Sequence, residues 1–170
     1  STIFYNSYLY ELLHNTYQYF LSFRLLESNP NQPPNLNQTS NPNPPLTDFY
    51  YLSLIQESPT EYTIHGLWPQ TSTTKYPTYC RPVNFQIKSL EPILDKLEQY
   101  WYSRQHTLAL DEKFWEHEYE KHGSCVYTPM TELEYFQNTI TLYEKALELN
   151  LPQKFYNPET KKCLIPVNQK

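Results

Sequence analysis

The stretch Glu61-Tyr62-Thr63-Ile64-His65-Gly66-Leu67-Trp68-Pro69 decides how the chain is read. Glu61 to Ile64 has β-favouring composition, and Phe49 to Ile55, aromatic and apolar, reads as a second strand shortly before it. The strand runs straight into His65, which sets that histidine at a strand end. Further along, the period changes from two to about 3.6. Leu90, Ile93, Leu94, Leu97 and Trp101 fall on one helical stripe, with Pro92 in the first turn after a Ser89 cap. Thr131 and Glu134 form a capping box, and Leu133, Phe136, Ile140, Tyr143 and Leu147 continue along one face of the helix it starts. Strands early and helices later define an α+β domain.

At 170 residues one domain is the default, and 17 Tyr, 8 Phe and 3 Trp supply the area for a core. Residues 5–26 are apolar and aromatic, with room for a short helix around Tyr8, Leu12 and Leu13 and a strand from Tyr19 to Leu25. Residues 28–47 are a Pro/Asn-rich run without periodicity, which reads as an extended surface loop. That loop holds an N-glycosylation sequon at Asn37-Gln38-Thr39, consistent with a secretory route. No apolar run approaches the ~20 residues of a membrane span. The formal net charge of −5 excludes a broad basic face for nucleic acid, so any polyanion must be recognised locally.

Three cysteines leave an odd count. Cys80 follows the first histidine segment and Cys125 lies in the second, which makes them natural partners in an oxidising compartment. Their bridge would leave Cys163 unpaired, or paired outside the chain. Three reduced thiols in a cytosolic protein is the competing reading.

The chain has two glycines, and each directly follows a histidine, in His65-Gly66 and His122-Gly123. Glycine permits close backbone approach or an unusual φ. Histidine is the side chain suited to moving protons near neutral pH. Read as helix, Phe114 to His122 brings His117, Lys121, Glu118 and His122 onto one arc of about 140°, with Glu116 and Glu120 pointing away. A zinc site is disfavoured, because the histidines are five apart and Lys121 occupies the ligand position. A salt-bridged helix face does not call for histidines. Acid and base work at a phosphodiester does: one histidine takes a proton, another gives one, and a lysine stabilises the added negative charge.

Ile64-His65-Gly66-Leu67-Trp68-Pro69 and Phe114-Trp115-Glu116-His117-Glu118-Tyr119-Glu120-Lys121-His122-Gly123-Ser124-Cys125 resemble the two active-site segments of the ribonuclease T2 family. The similarity runs from about Phe49 to Leu151. It implies an antiparallel β-sheet core flanked by several helices. It also implies an endoribonuclease that cuts single-stranded RNA through a 2′,3′-cyclic phosphate to a 3′-phosphate, with no metal or other cofactor. His65 matches the general acid and His122 the general base, while His117, Glu118 and Lys121 match residues that bind phosphate and stabilise the transition state. Trp68, Tyr76 and Phe114 resemble base-stacking aromatics, and Cys80–Cys125 matches a family disulfide. DNA lacks the 2′-hydroxyl this route uses. The expected protein is a secreted or endolysosomal/vacuolar monomer; the alternative is a member that acts by binding RNA or a cell-surface partner.

The chain also departs from that pattern. Ile55-Gln56-Glu57-Ser58-Pro59 stands where the family has a Gln-Trp-Pro segment with nearby cysteines, so Gln56 takes the amide position without them. The family pattern leads one to expect further strands and paired cysteines after Cys163. Residues 1–48 have no counterpart and form an N-terminal extension to a catalytic unit at 49–170. The apolar content of the extension prompts the reading that it packs where those further strands would lie; the alternative is an accessory extension that binds a partner, separated by the proline-rich loop.

Overall fold

The computed structural model describes residues 23–25 and 49–169. The expected helix around Tyr8, the loop at 28–47 and the Asn37 sequon lie outside the described residues. Five strands, β1 (Phe23–Leu25), β2 (Phe49–Ser58), β3 (Glu61–Pro69), β4 (Tyr156–Asn157) and β5 (Lys162–Gln169), form one antiparallel sheet. The order is β1-β5-β2-β3, with the short β4 against the start of β5. Between β3 and β4 lie α1 (Leu94–Tyr100), α2 (Leu108–Lys121), α3 (Glu132–Glu148) and α4 (Leu151–Phe155). The α+β architecture with an antiparallel sheet is thus the one observed.

The longest of these helices, α3, starts at the Thr131/Glu134 capping box, in which each side chain bonds the other's backbone N–H. Tyr135, Phe136, Ile140 and Tyr143 face the core formed with Leu52, Leu54, Ile64, Leu67 and Ile165, and Trp101 and Trp115 close it. Two tyrosine hydroxyls of α3 donate to carbonyls of β3: Tyr135 to Leu67 at 2.8 Å and Tyr143 to Tyr62 at 2.6 Å. β3 is the edge of the described sheet, so these bonds satisfy an edge that would otherwise face the core bare. Leu147 is 40% exposed, and Ala146 rather than Leu147 is the last buried position of the helix.

Three readings need correction. The second hairpin strand does not stop at His65 but continues to Pro69. Ser53 pairs with Gly66 and Leu54 with Ile64, leaving His65 as an extra residue in a β-bulge. The bulge resets the alternation, so Ile64 and Leu67, three apart, both reach the core. Ser89 is not a helix cap: it lies inside a 3-10 turn, Ile87–Ile93, that precedes α1, and its hydroxyl donates to Gln86 O at 2.8 Å. Pro92 has no N–H to give to the preceding turn, and the α-helix begins only at Leu94.

β1 enters from the far side of the Pro/Asn-rich run and pairs Phe23 with Gln169 and Leu25 with Val167. The Phe23 ring is 1% exposed and meets Tyr50 edge-on at 5.3 Å between centroids. Phe23→Ala is expected to cost roughly 3–5 kcal/mol in urea unfolding. A segment that merely accompanies the domain would give no change in the midpoint.

Candidate active site

Glu118 lies on the face of α2 turned toward β3 and is 2% exposed. Its Oε2 accepts the Trp68 indole N–H at 2.9 Å. Its Oε1 lies 3.4 Å from His65 Nε2, and Oε2 lies 3.8 Å from His122 Nε2. One carboxylate therefore stands between the two imidazoles that the sequence places 57 positions apart. The bulge on β3 presents His65, 40% exposed at its side chain, beside the edge of Trp68 at 4.9 Å between ring centroids.

His122 caps the C-terminal end of α2, its N–H bonded to Glu118 O at 2.9 Å. Its ring is stacked on Trp68, with centroids 5.1 Å apart and planes 24° apart, and Tyr76 approaches at 6.0 Å. At 4% exposure, burial pushes the imidazole down to about 4. Glu118 works against that shift, while the positive charges of Lys121, His65 and His117 add to it. Nδ1 of His122 is buried and has no hydrogen-bond partner among the described residues.

Neither glycine has a positive φ. What each supplies is space. A Cβ on Gly66 would fall 2.5 Å from Trp68 Nε1 and onto Glu118 Oε2, the two atoms joined by the indole hydrogen bond. A Cβ on Gly123 would fall 2.5 Å from the Tyr119 ring, a core residue one turn back on α2. The first glycine lets β3 approach the carboxylate, and the second lets the chain turn tightly over the helix end.

The loop after β3 is tied to that helix end. Cys80 and Cys125 form a disulfide, Cα atoms 5.0 Å apart. Cys80 N–H donates to Ser124 Oγ at 3.0 Å, Ser124 Oγ to Glu120 O at 2.7 Å, and Tyr79 N–H to Lys121 O at 2.9 Å. Cys163 is buried in β5 as a free thiol that burial raises to about 12, so it is inert.

The remaining expected residues are spread around this centre. Phe114, one turn before Glu118, has its ring 5.7 Å from that of His65. Tyr76 is half exposed at the rim. His117 is exposed and Lys121 half buried on α2. Gln56 lies beyond the bulge on β2, its amide donating to the Tyr62 hydroxyl at 3.0 Å, and joins none of the contacts among His65, Trp68, Glu118 and His122. Sequence reasoning missed the Trp68–Glu118 bond and the Ser124 tether. Ser124 was visible inside the second motif, whereas the indole bond depends on how β3 and α2 meet.

The sequence model of the Ribonuclease T2 family matches residues 40–163. Ribonuclease DdI of Dictyostelium discoideum is 38% identical over 84 residues, which make up 48% of this chain and 36% of that protein. Ribonuclease T2 of Homo sapiens is 33% identical over 99 residues, 56% of this chain and 36% of the human protein. This chain thus covers little more than a third of the length of either relative. The crystal structure of Actibind, described as a T2 ribonuclease, superposes with a TM-score of 0.53 at 24% identity, over 71% of this chain and 62% of that one, and shares the fold. No helix of the described residues is long and apolar enough to cross a membrane. By its match over most of its length, the chain belongs to the ribonuclease T2 family.

Proposed function

We propose that the protein is an endoribonuclease that cleaves single-stranded RNA without a metal ion. The observation that carries this reading is the buried Glu118 carboxylate held between His65 and His122. His122, kept neutral by its burial, takes the proton of a ribose 2′-hydroxyl. The 2′-oxygen attacks phosphorus, the bond from phosphorus to the 5′-oxygen breaks, and His65 protonates the departing oxygen. A 2′,3′-cyclic phosphate results. Water then opens it to a 3′-phosphate with the two histidines exchanging roles. Lys121 and His117 face the charge that builds on the non-bridging oxygens, and Glu118 fixes both rings. Trp68, Tyr76 and Phe114 offer stacking surfaces to the flanking bases. Gln56 reaches a base only by releasing Tyr62. DNA, without the 2′-hydroxyl, is not cut. The Cys80–Cys125 disulfide supports a secreted or endolysosomal/vacuolar setting, in which the Asn37 sequon would carry a glycan and the chain would act as a monomer.

RNA cleavage followed on a gel in EDTA should persist in the parent and fall by about 100-fold or more in His65→Ala and His122→Ala. Unaltered cleavage by both variants, or none by the parent with intact RNA binding, would sink the catalytic assignment in favour of a binding protein. The pH profile carries a second check. Catalysis requires neutral His122, whose value is lowered to about 4, so kcat/KM should hold at pH 5 and drop about tenfold per unit below about 4. An acid limb near the ordinary histidine value of ~6.5 would contradict the role given to burial.

Gly66→Ala forces Trp68 and Glu118 apart, and should lower kcat about 10- to 100-fold and the thermal midpoint with it, because the buried carboxylate loses its indole donor. Combined with Trp68→Phe, which already lacks the indole donor, it should cost little more than either change alone. Additive losses would mean that the glycine acts through something other than this hydrogen bond.

A further inference from the structure

Next to the disulfide, a cavity of about 420 Å3 is lined by Tyr79, Cys80, Arg81, Pro82, Val83 and Glu120. That volume is in the range of small-ligand sites. Three of its lining groups have side chains that make no hydrogen bond or ion pair among the described residues. Tyr79 is 57% exposed, with no ring contact and no hydrogen bond from its hydroxyl among the described residues. Arg81, exposed, and Glu120, half buried, line the same cavity with opposite charges. No ion pair joins them, and neither side chain has a hydrogen-bond partner among the described residues.

The position of Tyr79 is fixed from both sides. Its backbone adopts a left-handed conformation, φ 49°, unusual for a tyrosine. The bond from its N–H to Lys121 O holds it on one side, and the disulfide and Ser124 bond of Cys80 hold it on the other. The backbone from which the ring projects is thereby held beside Lys121. Through the bond from Tyr79 N–H to Lys121 O, the cavity lies beside the C-terminal end of α2.

A ligand that fits has a flat π-face for Tyr79, an anionic group for Arg81 and a hydrogen-bond donor for Glu120. We propose that the cavity is an additional nucleotide subsite for the same RNA strand, with a base stacked on Tyr79, its amino group donating to Glu120, and a phosphate paired with Arg81. The subsite rests on the ribonuclease reading of His65 and His122. Base stacking on an aromatic ring and an Arg–phosphate pair are the means by which single-stranded nucleic acid is held. They also extend recognition beyond the two nucleotides at the scissile bond without a basic face, consistent with the net charge of −5.

The test measures kcat/KM for dinucleotides and for oligonucleotides lengthened by one or two residues at either end. Extension on one side should raise kcat/KM of the parent by about tenfold. Tyr79→Ala and Arg81→Ala should each lose most of that gain while cleaving dinucleotides as the parent does, and Tyr79→Phe should keep it. Glu120→Gln should reduce the preference for an amino-bearing base over uracil at the added position. A parent that cuts dinucleotides but gains nothing on extension overturns the subsite and leaves the ribonuclease reading standing. Equal losses on short and long substrates by both alanine variants overturn it too, since they report a structural role. A parent that cuts neither substrate overturns the ribonuclease reading itself.

Discussion

A carboxylate at 2% exposure must be matched by partners, or the cost of removing it from water drives its helix out of the fold. Glu118 is matched by groups from both sides of the domain: the Trp68 indole and His65 from β3, and His122 from the end of its own helix. Its separation from β3 is set by the absence of a side chain at Gly66. The same helix buries Trp115 and Tyr119 in the core, so α2 cannot rotate to relieve the charge without unpacking large aromatic rings. The charge and the core fix one another, which gives the two histidines a constant separation.

This arrangement joins enclosure and an unmet polar atom at one residue. His122 stacks on Trp68 and is almost wholly enclosed, and that enclosure keeps it neutral in mild acid. It also leaves Nδ1 without a partner. An unmatched buried nitrogen costs about 1–3 kcal/mol in general. Here the neighbouring aromatic packing, the disulfide and the Ser124 tether hold the helix end in place despite it.

Elements whose signals are local were legible in the sequence. The capping box at Thr131 and Glu134 marked the start of α3, and the helical arc from His117 to His122 was visible in the spacing alone. The two strands before the motifs carried their own composition. What was not legible depends on elements distant in sequence. The bulge at His65 arises because Ile64 and Leu67 must both reach the core, and that need exists only once α3 covers the sheet. The Ser89 cap failed because Glu132, 43 positions on, accepts from its hydroxyl and from Gln86 N–H. The two glycines stood out by rarity, yet their reason is room for Glu118 and Tyr119, which no local pattern encodes.

The pairing of β1 has a consequence for biosynthesis. Phe23 finds its place against Gln169, so a strand made early waits for one made more than a hundred residues later. At ordinary rates of translation that interval is on the order of ten seconds. During it Phe23 and Leu25 have no sheet to join, and the edge of β5 forms only after the hairpin of β2 and β3 and all the helices exist. The sheet is therefore closed by a strand made before the hairpin and the helices, and the two apolar side chains of β1 stay without their native neighbours until β5 has been made.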